Sequence, residues 1–165
     1  MGGARSEAGN ITPSAEFNAY VDPHAAAKVF ETDIKTTVFG LDVTHQVLIR
    51  PEHVARIKSI GNYMSDILVP MLSGDYAEFD AKKFGTKGSP IHDACTTAYL
   101  LRPEIFSFKS VGIRVEAESP LTRGHMSVDY WAGTDWPANC RWAINAEPDM
   151  FFDLFYERIE AYGKA

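Results

Sequence analysis

Glu16 and Asn18 stand on either side of Phe17, so a carboxylate, a carboxamide and an aromatic ring lie within three residues. Such a set can hold vicinal hydroxyls. The carboxylate accepts, the carboxamide donates and accepts, and the ring shields one side of a sugar. Asn10 supplies a second carboxamide upstream, in Gly9-Asn10-Ile11-Thr12-Pro13. The same residue types also suit a surface loop rich in turn formers. Farther on, His92-Asp93 stands directly before the apolar run Ala94-Cys95-Thr96-Thr97-Ala98-Tyr99-Leu100-Leu101. There the aspartate can cap a helix while the histidine packs beside it. The other use of the pair is chemical: helix-start N–H groups hold the carboxylate ionised as a ligand for a hard metal, and the imidazole serves as a proton donor. Asp42 follows an apolar run, at the kind of strand end where α/β proteins gather ligands, and can equally bond the backbone of Val43-Thr44.

The elements that must position these groups are readable in outline. Residues 1–21 read as loop, punctuated by Gly2, Gly3, Gly9, Asn10 and Pro13. Asp22-Pro23 predicts a helix with Asp22 as N-cap and Pro23 in the first turn. Residues 36–41 predict a short strand buried on both faces, as in a parallel sheet. Pro51 opens a second helix, which Gly61-Asn62 breaks, and residues 63–72 carry apolar side chains at helical spacing. Residues 92–101 predict a helix, residues 108–118, 125–131 and 141–146 predict strands, and residues 148–162 predict a closing amphipathic helix. Helices alternating with strands give an α/β class with an open, mainly parallel sheet flanked by helices. With 165 residues, no repeat and no linker-like stretch, residues 1–165 read as a single domain.

Bulk composition narrows the function classes. Sixteen Lys plus Arg against 22 Asp plus Glu give a formal charge of −6 without a basic cluster, which argues against nucleic acid and anionic membrane as partners. No apolar run reaches the roughly 20 residues of a bilayer span, and no signal-peptide pattern opens the chain. Cys95 and Cys140 stand in no metal-type pattern and read as two buried thiols of a reducing, cytoplasmic protein. His45 and His53 read as packed or solvated side chains. Phe151, Phe152, Phe155 and Tyr156 read as core, and Tyr130, Trp131, Trp136 and Trp142 as packing in the strand region.

Taken together, the segments resemble the inosine-uridine nucleoside hydrolase family. The resemblance runs through Met1-Gly2-Gly3, Gly9-Asn10-Ile11-Thr12-Pro13, Ala15-Glu16-Phe17-Asn18 and Val21-Asp22-Pro23. It continues through Gly40-Leu41-Asp42-Val43-Thr44, Pro90-Ile91-His92-Asp93, Leu121-Thr122-Arg123-Gly124 and Phe151-Phe152-Asp153-Leu154-Phe155. It implies hydrolysis of the N-glycosidic bond of ribonucleosides to ribose and free base, assisted by Ca2+ in an open α/β pocket. By this resemblance Asp93 is a calcium ligand and His92 is the acid near the leaving base. Glu16 and Asn18 hold the ribose, helped by Asn10 and by Met1 at the pocket wall. Tyr76 belongs to the segment that closes over the base in such enzymes. Ala94 stands where family members often carry proline.

The family's aspartate-rich N-terminal motif has no counterpart in the chain, which therefore resembles the C-terminal half of the fold only. The expectation is an incomplete calcium site and weak or absent activity in isolation, with a missing N-terminal half or a homo-oligomer as partner. The competing expectation is a non-catalytic ribose-binding or assembly module descended from the family.

Overall fold

Asp22 does what its place before Pro23 predicts. In the computed structural model, which describes residues 1–74, 79, 81–83 and 85–162, its carboxylate accepts the Ala25 N–H at 3.0 Å and opens helix α2 (Pro23–Phe30). The helix just before it was not expected. Residues 1–21 read as loop, yet Phe17–Val21 forms a short helix, α1, because the Glu16 carboxylate caps it.

The chain forms two compact units, Met1–Thr44 with Phe106–Asn145, and His45–Ile105 with Ala146–Ala165. The first is built on a sheet. Its strands are β1 (Thr36–Val38), β4 (Phe106–Val115), β5 (Met126–Asp129) and β6 (Cys140–Ala146), in the order β1-β6-β4-β5. β1 pairs with β6 in parallel, Val38 opposite Trp142, while β4 and β5 pair antiparallel, Ile113 opposite Val128. The α/β class holds, and the sheet is mixed. β1 is shorter than the predicted strand over 36–41: the N–H groups of Val43 and Thr44 turn back onto the Gly40 carbonyl, so Leu41–Thr44 forms a helical turn, α3.

The core of this unit gathers Ala19, Val38, Val111, Ile113, Met126, Cys140 and Trp142, with Phe30, Val115, Val128 and Ile144 packed against it. Phe39 meets Phe106 and Phe108 edge-on, with centroids 5.0 and 5.6 Å apart. Trp142 is fully buried as expected. Trp131 is not part of the packing: it is 84% exposed, beside Lys109.

The second unit is mostly helical. The predicted helix at Pro51 is α4 (Pro51–Ile60), ended by Gly61 in the left-handed region (φ 67°). Asn62 then caps α5 (Tyr63–Ser73) through the Ser65 N–H, and its amide donates to the Ile159 carbonyl at 2.8 Å. A two-stranded ribbon joins β2 (Leu48–Ile49) to β3 (Ser89–Pro90), antiparallel. Helix α6 (Ala94–Leu101) follows, and α7 (Pro148–Tyr162) closes the chain. α4 packs against α5 and α7. Ile57, Phe151, Phe152, Leu154 and Ile159 are buried there. The His53 ring lies 3.7 Å from that of Phe152, with its Nδ1 3.1 Å from the Tyr156 hydroxyl; burial holds its pKa below the usual value.

Cys95 and Cys140 are free, buried thiols, and burial pushes both up to about 12, which makes them inert at neutral pH. Among the described residues, no helix is long and apolar enough to cross a membrane.

Gly40 is a point where the first unit packs tightly against Trp142. A Cβ there would lie 2.5 Å from Trp142 Cζ2 and 2.7 Å from Cη2, and the buried indole has no room to retreat. Gly40→Ala should therefore lower stability by about 1–3 kcal/mol, seen as a lower urea midpoint at unchanged m-value. Gly133→Ala, whose nearest new neighbour would be Asp129 Oδ1 at 3.9 Å, should leave the midpoint where it is.

Candidate functional site

Residues 9–15 form a tight loop. Gly9 N–H donates to the Pro13 carbonyl, Ile11 N–H to the Ala15 carbonyl, and Ala15 N–H to the Thr12 hydroxyl at 3.0 Å. Only glycine fits at position 9, because a Cβ would lie 2.2 Å from the Thr12 and Ala15 carbonyl oxygens. The loop presents Asn10 to the start of α1, where its Oδ1 accepts the Phe17 N–H at 2.8 Å. The Phe17 ring is half exposed beside it.

Glu16 sits at the centre of this arrangement, 2% exposed. Its Oε1 accepts the Asn18 N–H at 2.9 Å, and its Oε2 accepts the N–H groups of Gly3 at 2.9 Å and Ala19 at 3.4 Å. The carboxylate therefore caps α1 and ties it to the opening segment of the chain. Asn18 completes the link: its Nδ2 donates to the Met1 carbonyl at 3.2 Å and lies 3.6 Å from the Met1 sulfur. Met1, Glu16 and Asn18, separated by up to 17 residues, form one hydrogen-bonded group, with Asn10 and Phe17 joined to it through α1.

The opening segment is fixed from below as well. Gly2 N–H donates to the Phe39 carbonyl at 3.0 Å, and Leu41 N–H to the Gly3 carbonyl at 2.9 Å. Gly3 takes φ +82°, and a Cβ on it would meet Met126 Sδ at 2.3 Å. Asp42 plays a part the sequence does not show. It accepts the backbone N–H groups of Arg5 and Ser6, each at 2.8 Å, and the Ser6 hydroxyl. Burial works against its charge, but these donors and the Arg5 guanidinium outweigh it and hold its pKa below the usual carboxylate value. The Arg5 guanidinium and the Lys109 ammonium in turn lie 4.3 and 4.0 Å from the Tyr130 ring centre.

His92 and Asp93 belong to the second unit. Ile91 N–H donates to the Val47 carbonyl at 2.9 Å, fixing the strand that leads to them. Asp93 stands at the cap position of α6, but its side chain makes no capping bond, so the helix-capping reading fails. Its carbonyl accepts the Thr96 N–H and hydroxyl instead, and the carboxylate is exposed. The half-buried His92 ring lies 5.7 Å from that of His45, tilted by 55°. Tyr76 lies outside the described residues.

A calcium ion takes about 6–8 oxygen ligands. Among the described residues, no group of three or more His, Cys, Asp or Glu side chains is placed to hold a metal. The donors described in this chain do not by themselves fit a calcium site.

Two outcomes test the geometry of the first unit. Glu16→Ala strands the Gly3 N–H and uncaps α1; it should cost about 2–3 kcal/mol in urea unfolding, and Glu16→Gln less. Asp42→Asn should cost about 1–3 kcal/mol at pH 7. A carboxylate with a depressed folded pKa contributes stability above its unfolded pKa of about 3.9 and loses it as pH falls through the folded value. The gap between wild type and Asp42→Asn should thus close in urea titrations below about pH 4.

The family model described as inosine-uridine preferring nucleoside hydrolase matches residues 1–153. An uncharacterized protein of Schizosaccharomyces pombe is 41% identical over 159 residues, which is 96% of this chain and 51% of that protein. A pyrimidine-specific ribonucleoside hydrolase of Klebsiella pneumoniae is 41% identical over 162 residues, 98% of this chain and 52% of its own length. Among solved structures, a purine-preferring ribonucleoside hydrolase from Gardnerella vaginalis is similar at TM-score 0.86 and 26% identity over 99% of this chain and 52% of that one. A plant nucleoside hydrolase, at 24% identity and TM-score 0.85, shares the fold. The chain spans about half the length of the curated relatives it matches. With nearly its whole length matched by one family model and its fold shared with solved hydrolases, the chain belongs to the inosine-uridine preferring nucleoside hydrolase family.

Proposed function

We infer that this chain supplies the ribose-gripping, C-terminal part of a nucleoside N-ribohydrolase that cleaves ribonucleosides to ribose and free base. The observation that carries the reading is the hydrogen-bonded group of Met1, Glu16 and Asn18, held at the start of α1 within the segment the family model matches. Asn18 and Asn10 offer carboxamides to ribose hydroxyls, Glu16 offers its remaining acceptor capacity, Phe17 covers the sugar, and Met1 forms the wall. Tyr76 is assigned to the base.

Breaking the ribosyl C–N bond builds positive charge on the sugar and negative charge on the base. A buried carboxylate such as Glu16 opposes the first charge, and His92 answers the second by donating a proton to the departing base. Asp93 is the carboxylate assigned to calcium. The donors described here do not complete that site, so the remaining ligands belong to parts of the fold that this chain does not span. Relatives of both pyrimidine-specific and purine-preferring description support a ribonucleoside substrate class without choosing the base. Two free thiols support a cytoplasmic protein. A second reading, a ribose-binding or assembly module without catalysis, draws on the Glu16 oxygens already receiving three backbone N–H groups.

The purified chain should release no base from inosine or uridine with or without calcium; robust calcium-dependent release would overturn the inference of incompleteness. Supplied with the complementary half of a relative, it should gain hydrolysis. In that complex His92→Ala should lower kcat about 10²–10⁴-fold, since it removes a general acid. Ribose binding by the chain alone, seen by calorimetry without calcium, would favour the module.

A further inference from the structure

The 9–15 loop folds on itself through the Pro13 and Ala15 carbonyls, but the Ser14 carbonyl reaches a residue 111 positions away. His125 Nδ1 lies 3.0 Å from that oxygen. A carbonyl only accepts, so Nδ1 carries the hydrogen and donates it. The Ser14 hydroxyl is buried without a hydrogen-bond partner among the described residues, which leaves the main-chain carbonyl as the tie from Ser14 to His125. His125 follows the turn between β4 and β5, and that turn is itself fixed. Glu116 N–H donates to the His125 carbonyl at 2.9 Å, and Gly124 N–H to the Glu116 carbonyl at 2.7 Å. Gly124 takes φ +78° and lies against α1, where a Cβ on it would come within 2.5 Å of Tyr20 Cα. The turn thus touches both supports of the ribose group: the loop that carries Asn10, and the helix whose Phe17 N–H the Asn10 carboxamide accepts.

We propose that His125 is a positioning residue for the sugar: by holding the Ser14 carbonyl it fixes the 9–15 loop against α1 and so aims the Asn10 carboxamide at a ribose hydroxyl. The proposal rests on the functional reading above and adds to it a residue from the distant hairpin. A carboxamide must be turned correctly as well as placed correctly, because one end donates and the other accepts. Asn10 keeps its direction through the Phe17 N–H, 2.8 Å from Oδ1, and that bond lasts only while loop and helix keep their spacing. The hairpin sets this spacing from outside, His125 by a hydrogen bond and Gly124 by backbone contact. His125 acts through the loop, without touching the reacting atoms.

The test compares His125→Ala with His125→Asn, whose side-chain amide places a donor near where Nδ1 stands. In the chain alone, amide exchange followed by NMR is the first readout. His125→Ala should speed exchange at Ile11 and Phe17 at least about tenfold, while the Asn18 and Gly3 amides, held by Glu16, change less than about threefold. His125→Asn should restore most of the protection, and Leu121→Ala, at an 84%-exposed position in the same turn, should leave it unaltered. The second readout is hydrolysis of inosine and uridine after the chain is supplied with the complementary half of the Klebsiella hydrolase. There His125→Ala should raise KM about three- to tenfold, the loss of one ordinary hydrogen bond, with kcat within about twofold. Exchange that quickens evenly across the first unit with a fall in urea midpoint would mark a merely structural residue and overturn the proposal. So would a failure of His125→Asn to rescue, or a fall in kcat at unchanged KM. A reconstituted pair that releases no base counts against the functional reading instead, and the exchange pattern then decides whether His125 holds the loop.

Discussion

The buried carboxylate of Glu16 is the constraint on which the first unit turns. Three backbone N–H groups from two distant parts of the chain converge on it, those of Gly3, Asn18 and Ala19. A charge removed from water is tolerable only when its lone pairs are met by donors, and here the donors are main-chain groups that would otherwise be stranded at a helix start. The helix and the glycine segment therefore cannot be placed independently. Asn18 on Met1 and Asp42 on Arg5 and Ser6 tighten the same segment from its two ends.

Below this clamp, packing sets the height of the backbone. Trp142, on the central strand β6, extends its ring under Gly3 and Gly40, where any side chain would collide. The glycines let two backbone stretches rest on an indole. Close packing then transmits the position of the sheet to the residues that grip the sugar in the proposed reading.

Much of the fold was legible because its signals are local. Asp22-Pro23 and Gly61-Asn62 each carry their own geometry, a carboxylate or carboxamide for a helix start and a glycine able to turn left-handed. α1 was hidden because glutamate is not among the usual caps; here its longer side chain reaches the Asn18 and Ala19 N–H groups while Gly3 also bonds its Oε2. The shortness of β1 was hidden for a related reason: Leu41 and Val43 are apolar enough for a strand, but the Gly40 carbonyl accepts two N–H groups and starts a turn. At the site, residue types and motif spacing pointed to the family, while bonding partners did not show. Asp42 meets residues nearly forty positions away, and Asp93, which looks like a cap, leaves its helix uncapped.

The exposed turn after β5 gives the protein a built-in optical contrast. Its three tryptophans span the full range of surroundings, from Trp142 sealed in the core to Trp131 standing in solvent against Lys109, with Trp136 between them under Arg114. Their emission is therefore separable, the outer indole open to aqueous quenchers and the inner one dark to them. The inner indole touches the very glycines that carry the opening segment, so its colour reports directly on whether that segment is seated.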